Sequence, residues 1–136
     1  MNSFKVNFVT YKGLYETVVT TRLNVPTAEG RRGILANHMP IMLPLTIGVI
    51  ETTVDNKDTY HSISNGMLLF ENNVATILCD TIENVQKLDK RKVRASIKRA
   101  EERLSEAKRD TDIILARASL AKAMNRLEAI NKYIDK

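Results

Sequence analysis

Few residues in this chain are spaced to do chemistry. Cys79 is the only cysteine, so no disulfide can form within the chain. It ends the apolar run Ala75-Thr76-Ile77-Leu78, where a thiol reads as a small buried hydrophobe. His38 and His61 share no metal-ligand spacing with each other or with Cys79, and no metal site is expected. Glu83 and Asp89 could be paired carboxylates, but a strand-end charge and a helix N-cap account for them more simply. No nucleophile elbow, Walker loop or paired-histidine motif occurs, which removes the usual hydrolase, NTPase and zinc-protease chemistries. What remains is charge. The net value is +5, unevenly placed: residues through Lys87 carry −1 and residues from Leu88 onward +6. The C-terminal third should seek an acidic partner.

The elements that position these residues fall into two halves. Every glycine and proline lies at or before Gly66. Frequent breakers suit short strands, and their absence afterwards permits long helices. Phe4-x-Val6-x-Phe8, Val19-x-Thr21-x-Leu23-x-Val25, Ile50-x-Thr52-x-Val54 and Val74-x-Thr76-x-Leu78 alternate with the period of a strand. Asp55-Asn56-Lys57-Asp58 and Glu71-Asn72-Asn73 read as turns, and Asn65-Gly66 as a hairpin dipeptide. The longest apolar runs, such as Met67-Leu68-Leu69-Phe70, fall far short of the roughly 20 residues that span a bilayer. The first residues lack a signal peptide's apolar stretch, so a cytoplasmic location is expected.

After Lys87 the period changes. Val93, Ile97, Ala100, Leu104 and Ala107 form one helical seam; Ile113, Ala116, Leu120, Ala123, Leu127, Ile130 and Ile134 form a second. Asp89 and Asp112 are placed to cap the two helices, with Asp110-Thr111-Asp112 as the break between them. The fold class expected is therefore α+β: an N-terminal antiparallel β-sandwich over 1–87 and a C-terminal antiparallel two-helix hairpin over 88–136. Four of the twelve seam positions are alanine, which gains little on burial. The seam alone fits either a hairpin able to open or a rigid one.

Three stretches together resemble the ATP synthase epsilon family. They are Val25-Pro26-Thr27-Ala28-Glu29-Gly30-Arg31-Arg32-Gly33-Ile34-Leu35-Ala36-Asn37-His38-Met39-Pro40; Ser64-Asn65-Gly66 with Val74-Ala75-Thr76-Ile77-Leu78; and Leu88-Asp89 leading to Arg99-Ala100-Glu101-Glu102-Arg103-Leu104, with Ala123-Met124-Asn125-Arg126-Leu127 in the second helix. The resemblance covers essentially the whole chain. It implies a ten-stranded sandwich bound to a gamma shaft and resting on a c-ring, in a non-catalytic rotor subunit on the cytoplasmic face of the bacterial membrane. It also implies helices that rise to the alpha and beta subunits of the catalytic head and inhibit ATP hydrolysis. Arg31, Arg32 and His38 then become candidates for the ring and shaft contact, and Arg109, Arg117, Lys122 and Arg126 for the inhibitory contact with beta. The family often has an acid where Arg31 stands and glycine where Asn37 stands.

Some relatives of that kind bind ATP through an Ile/Leu-Asp-x-x-Arg-Ala motif. Here the stretch is Leu88-Asp89-Lys90-Arg91-Lys92-Val93. Glu83, Asp89, Lys92, Arg99 and Arg126 fall on the implied site. Lysine cannot offer arginine's bidentate fork, and valine adds bulk, so no cofactor is expected and ATP should bind weakly or not at all. An enzyme and a nucleic-acid module are the competing classes. The basic helices could follow phosphates, but Glu101, Glu102, Glu106 and Glu128 interrupt them, and Tyr133 is their only aromatic for stacking. No nucleic-acid partner is expected, and membrane contact only through the complex.

Overall fold

The computed structural model describes residues 2–135; Met1 and Lys136, the outer ends of the two expected domains, lie outside them. Ten strands come first: β1 (Phe4–Thr10), β2 (Gly13–Thr20), β3 (Arg22–Thr27), β4 (Gly30–Leu35), β5 (Ile41–Leu45), β6 (Gly48–Val54), β7 (Lys57–Ile63), β8 (Gly66–Glu71), β9 (Val74–Cys79) and β10 (Ile82–Asn84). A 3-10 turn (Val85–Lys87), α1 (Lys90–Glu106), α2 (Asp110–Ala129) and a π-helical turn (Ile130–Ile134) follow. The chain divides into two compact units, Met1–Asn84 and Val85–Lys136.

The first unit is the expected sandwich, two sheets of five strands in the orders β2-β1-β9-β8-β5 and β10-β7-β6-β3-β4. The pairs are antiparallel except β1 with β9, which run parallel. Parallel strands need a long crossover, and here everything between β1 and β9 supplies it. The core holds Phe4, Val6 and Phe8 from β1, Leu23 and Val25 from β3, Ile34, Ile50, Ile63, Leu68, Phe70, and Ala75, Ile77 and Cys79 from β9. Hairpins turn where two successive residues accept positive φ: Asp55 and Asn56 between β6 and β7, Asn72 and Asn73 between β8 and β9. That is the chemistry of a tight hairpin turn.

Three strand-level expectations change. Thr21 lies between β2 and β3, so the alternation from Val19 to Val25 spans two strands in different sheets. In β9 the period is right and the face reversed: Ala75, Ile77 and Cys79 are buried, and Leu78 is exposed. Asn65-Gly66 forms no hairpin. It is where the chain crosses from β7 to β8, that is, from one sheet to the other. Gly66 is required for another reason. A Cβ there would overlap the Leu78 carbonyl oxygen and the Cys79 sulfur of the paired strand.

In the second unit Asp89 caps α1 as expected, its Oδ1 accepting from Arg91 N at 2.9 Å. Asp112 does not cap α2. That helix begins at Asp110 with Arg109 at the cap position, and the break is Ala107–Arg109. Asp110 and Asp112 sit inside the first turn, where carboxylates favour the positive end of the helix dipole, and Asp112 Oδ2 accepts from Arg109 Nε at 3.0 Å. Val93, Ala100, Ala116, Ala123, Ala129 and Ile130 are buried. Ile134 is 41% exposed and out of the seam, because the chain widens into the π turn before reaching it.

Gly66→Ala is expected to cost about 1–3 kcal/mol, the usual range for overpacking against a fixed backbone. Gly33→Ala, where nothing lies within 4 Å of an added Cβ, should cost less than about 0.5 kcal/mol. Urea unfolding of both variants checks the difference.

Candidate functional site

The register of the first sheet builds an apolar row on its outer face. Inward-facing residues of β1 pair with inward neighbours: Val6 with Val18 and Ala75, Phe8 with Glu16 and Ile77. The next position along faces out. Leu14 pairs with Val9, Val9 with Leu78, Leu78 with Met67 and Met67 with Pro44. Five strands thus contribute five apolar side chains in one line. Leu14 is 65%, Leu78 51% and Met67 37% exposed, with Met42 exposed nearby on β5. The parallel row Thr17–Asn7–Thr76 is polar, with Thr17 Oγ1 donating to Asn7 Oδ1 at 2.8 Å. All of the line but half-buried Val9 is exposed, which makes it a candidate binding surface. Sequence reasoning missed it because Leu78 reads equally well as core. The available signal was the unbroken run Met67–Phe70, which alternation cannot sort into faces.

The candidates Arg31, Arg32 and His38 are not gathered. Arg31 and Arg32 begin β4, and His38 lies beyond its end. Arg31 folds over the outer face of the second sheet. Its Nη1 donates to the Val49 carbonyl at 2.6 Å, its Nε donates to Asn24 Oδ1, and its Nη2 lies 3.9 Å from Glu51. Glu51 also faces Arg22 at 3.6 Å, and Arg22 reaches Asp58 at 3.4 Å. Arg31 is therefore a brace across β3, β4 and β6. Arg32 points to the other side of β4 and is exposed. His38 is half-buried, with Nδ1–H donating to the Met39 carbonyl at 2.7 Å and its ring edge-on to Phe70. Asn37 takes φ 65°, which explains why glycine would serve there. Its N–H donates to Asn73 Oδ1 at 2.7 Å, tying this loop to the β8–β9 turn.

In the helical unit Lys92, Ser96 and Arg99 share a face: Ser96 Oγ donates to the Lys92 carbonyl at 3.1 Å and accepts from Arg99 Nη2 at 3.0 Å. The antiparallel hairpin places Arg126, near the end of α2, at the same end as Asp89 and Lys92. Glu83 belongs to the first unit, on β10. Of the four bases expected to reach outward from α2, Arg109 and Arg117 are exposed and Lys122 and Arg126 half-buried. Lys122 and Arg126 are one turn apart, but Arg117 lies well round the helix. Burial and neighbouring Asp80 push the Cys79 thiol up to about 12, so it is inert near neutral pH. No helix among the described residues is long and apolar enough to cross a membrane.

Comparison with known proteins matches both units. Residues 3–85 match the family described as ATP synthase, Delta/Epsilon chain, beta-sandwich domain, and residues 86–131 match ATP synthase, Delta/Epsilon chain, long alpha-helix domain. The chain belongs to the ATP synthase delta/epsilon chain family. Among its relatives is the ATP synthase epsilon chain of Lactobacillus delbrueckii subsp. bulgaricus, 38% identical over 131 residues, covering 91% of this chain and 90% of the relative. The ATP synthase epsilon chain of Bacillus velezensis is 35% identical over 128 residues, covering 94% and 97%. The fold is shared with a chain of the Euglena gracilis mitochondrial ATP synthase solved as OSCP/F1/c-ring (TM-score 0.74, 18% identity, covering 92% of this chain and 79% of that one). It is also shared with a chain of the Tetrahymena thermophila mitochondrial ATP synthase central stalk and c-ring (TM-score 0.60, 15% identity, covering 92% and 94%).

Within this delta/epsilon chain, the two arginines that look alike in sequence have different structural duties. Arg31→Ala should lower stability by about 1 kcal/mol, the worth of a lost hydrogen-bond set at a partly exposed site. Arg32→Ala should stay within about 0.5 kcal/mol of the parent. Denaturant melts of the two variants side by side test this.

Proposed function

We propose that this chain is a non-catalytic rotor subunit in the central stalk of an F-type ATP synthase, peripheral to the cytoplasmic face of the bacterial membrane. In this reading the sandwich joins the gamma shaft to the c-ring and helps couple ion flow to ATP synthesis. The helical unit restrains hydrolysis by engaging the alpha and beta subunits of the head. The observation that carries the reading is the apolar row Leu14–Val9–Leu78–Met67–Pro44. A rigid sheet face with exposed aliphatic side chains suits a permanent protein partner such as the shaft. Epsilon-chain names among the relatives support it. The loop of Asn37 and His38, tied to the β8–β9 turn, is the part of the sandwich we assign to the ring, with Arg32 as a second, separate contact. Nucleotide has no part in the proposal. Lys92 lacks the planar fork, and Val93 is buried in the helical seam.

Leu78→Asp and Leu14→Asp should leave the isolated sandwich within about 0.5 kcal/mol of the parent, since both side chains are exposed. Each should weaken association with the gamma subunit at least about tenfold, because a carboxylate would be desolvated without a partner. Calorimetric titration with purified gamma reads this directly, and unchanged affinity would remove the row from the interface.

Deleting 88–136 should leave an enzyme that assembles and hydrolyses ATP faster than the parent. Replacing Arg109, Arg117, Lys122 and Arg126 by alanine should give part of the same rise. Hydrolysis no faster than the parent's in the assembled truncated enzyme would leave only the coupling role.

A further inference from the structure

We propose that Lys90 and Asp135 form a clasp that holds the open end of the helical hairpin shut, and that the π-helical turn is the device that delivers Asp135 to it. The inference deepens the regulatory reading above and rests on it for its functional meaning.

The need for a clasp begins with charge. Lys90, Arg91, Lys92, Arg94, Lys98 and Arg99 place six bases in ten residues, with no acid among them. They occupy the start of α1, whose first turn has no acidic residue. That is the positive end of the helix dipole, where cations are unfavourable. Asp89 caps that end, its carboxylate accepting from Arg91 N, and a second acid comes from the other end of the unit. Asp135 Oδ2 lies 2.9 Å from Lys90 Nζ, 45 residues away in sequence.

Asp135 reaches that point through an irregularity. The Asp135 N–H donates to the Ile130 carbonyl at 2.8 Å, an i→i+5 bond that closes a wider turn than an α-helix makes. A wider turn sets back every later residue relative to the 3–4 spacing of the seam. Continued α-helix would put Ile134 into the seam, four residues after buried Ile130. Instead Ile134 is exposed, and the next side chain is the carboxylate that meets Lys90. The hairpin thus gives up an aliphatic contact and gains an ionic one. The position suits a latch. At the far end the helices are joined covalently through Ala107–Arg109. At this end they are held by Lys90–Asp135 and by packing of the Val85–Lys87 turn on Ile130–Ile134. Both partners are partly exposed, 32% and 48%, so the contact is weak enough to break and sensitive to salt.

The test uses the full-length subunit carrying spin labels at Ala95→Cys and Asn131→Cys, both exposed. Buried Cys79, with its thiol pushed up to about 12, stays unlabelled. Pulsed dipolar spectroscopy then reads the open and closed populations. Lys90→Gln should raise the open-to-closed ratio by about two- to fivefold, the range of an exposed ion pair. Lys90→Glu should raise it further, and Lys90→Glu with Asp135→Lys should return it toward the parent. Raising salt should open the parent but not Lys90→Gln. Far-UV circular dichroism follows helix content throughout. Populations unchanged by Lys90→Glu, or an opening that the charge swap fails to reverse, would overturn the clasp. The same variants in the assembled enzyme address the parent reading separately. Opening without any change in hydrolysis would uphold the clasp and remove the inhibitory role.

Discussion

The register in which β1 lies between β2 and β9 governs both faces of the first sheet. Because side chains alternate along a strand, a slip of one residue would turn Phe4, Val6 and Phe8 outward and scatter the apolar row. The turns alone do not set this register, since β1 and β9 are far apart in sequence. Contacts across the sandwich do. Phe8 stacks on His61 of the opposite sheet with ring centroids 4.1 Å apart and planes 19° apart. Glu16, paired beside Phe8 on β2, accepts from His61 Nε2 at 2.9 Å. Within the first sheet, Phe4 of β1 packs edge-on to Phe70 of β8. These inward contacts fix which residues face in, and Leu14, Val9 and Leu78 are left in line on the outside.

The same logic explains what the sequence made legible. Alternation in β1 was clear because its outward residues include Lys5 and Asn7, so polarity marks the faces. In β9 both parities are apolar, Ala75, Ile77 and Cys79 against Val74 and Leu78, and only the partner strands decide between them. Asn65-Gly66 carries the composition of a turn, yet Gly66 is there for close approach of β9, a constraint that exists only after folding. Arg31 and Arg32 are adjacent and chemically identical. Strand alternation sends one into the Asn24–Glu51 network and the other to solvent, and that difference depends on which face of the sheet Asn24 of β3 and Glu51 of β6 occupy. The start of α1 and both seams were legible, because Asp89 and the 3–4 spacing are local features, whereas Asp112 reads as a cap yet lies inside the first turn of α2. The π turn was not, because nothing in Ile130–Ile134 departs from an ordinary helical composition.

The two units also use burial differently. The sandwich buries phenylalanine, leucine and isoleucine, each worth roughly 1.5–3 kcal/mol. Of the five buried seam residues, three are alanine. Alanine lets two helices approach closely and keeps them helical when apart, but separating them exposes little apolar area. Its loss on opening is correspondingly small. Away from the seam α2 also exposes Ile114, Leu115 and Met124, of which Leu115 and Met124 lie on opposite sides of the helix. In the proposed open state it presents its seam and these scattered aliphatic side chains along a rod free of glycine and proline. On the proposed opening, the alanines that weaken the closed hairpin also keep α2 helical once it is released. Under that proposal the balance between closed and open hairpins falls to contacts of small energy, and ionic ones, which salt, charge substitution or a competing acidic surface can each displace, are the natural place for control.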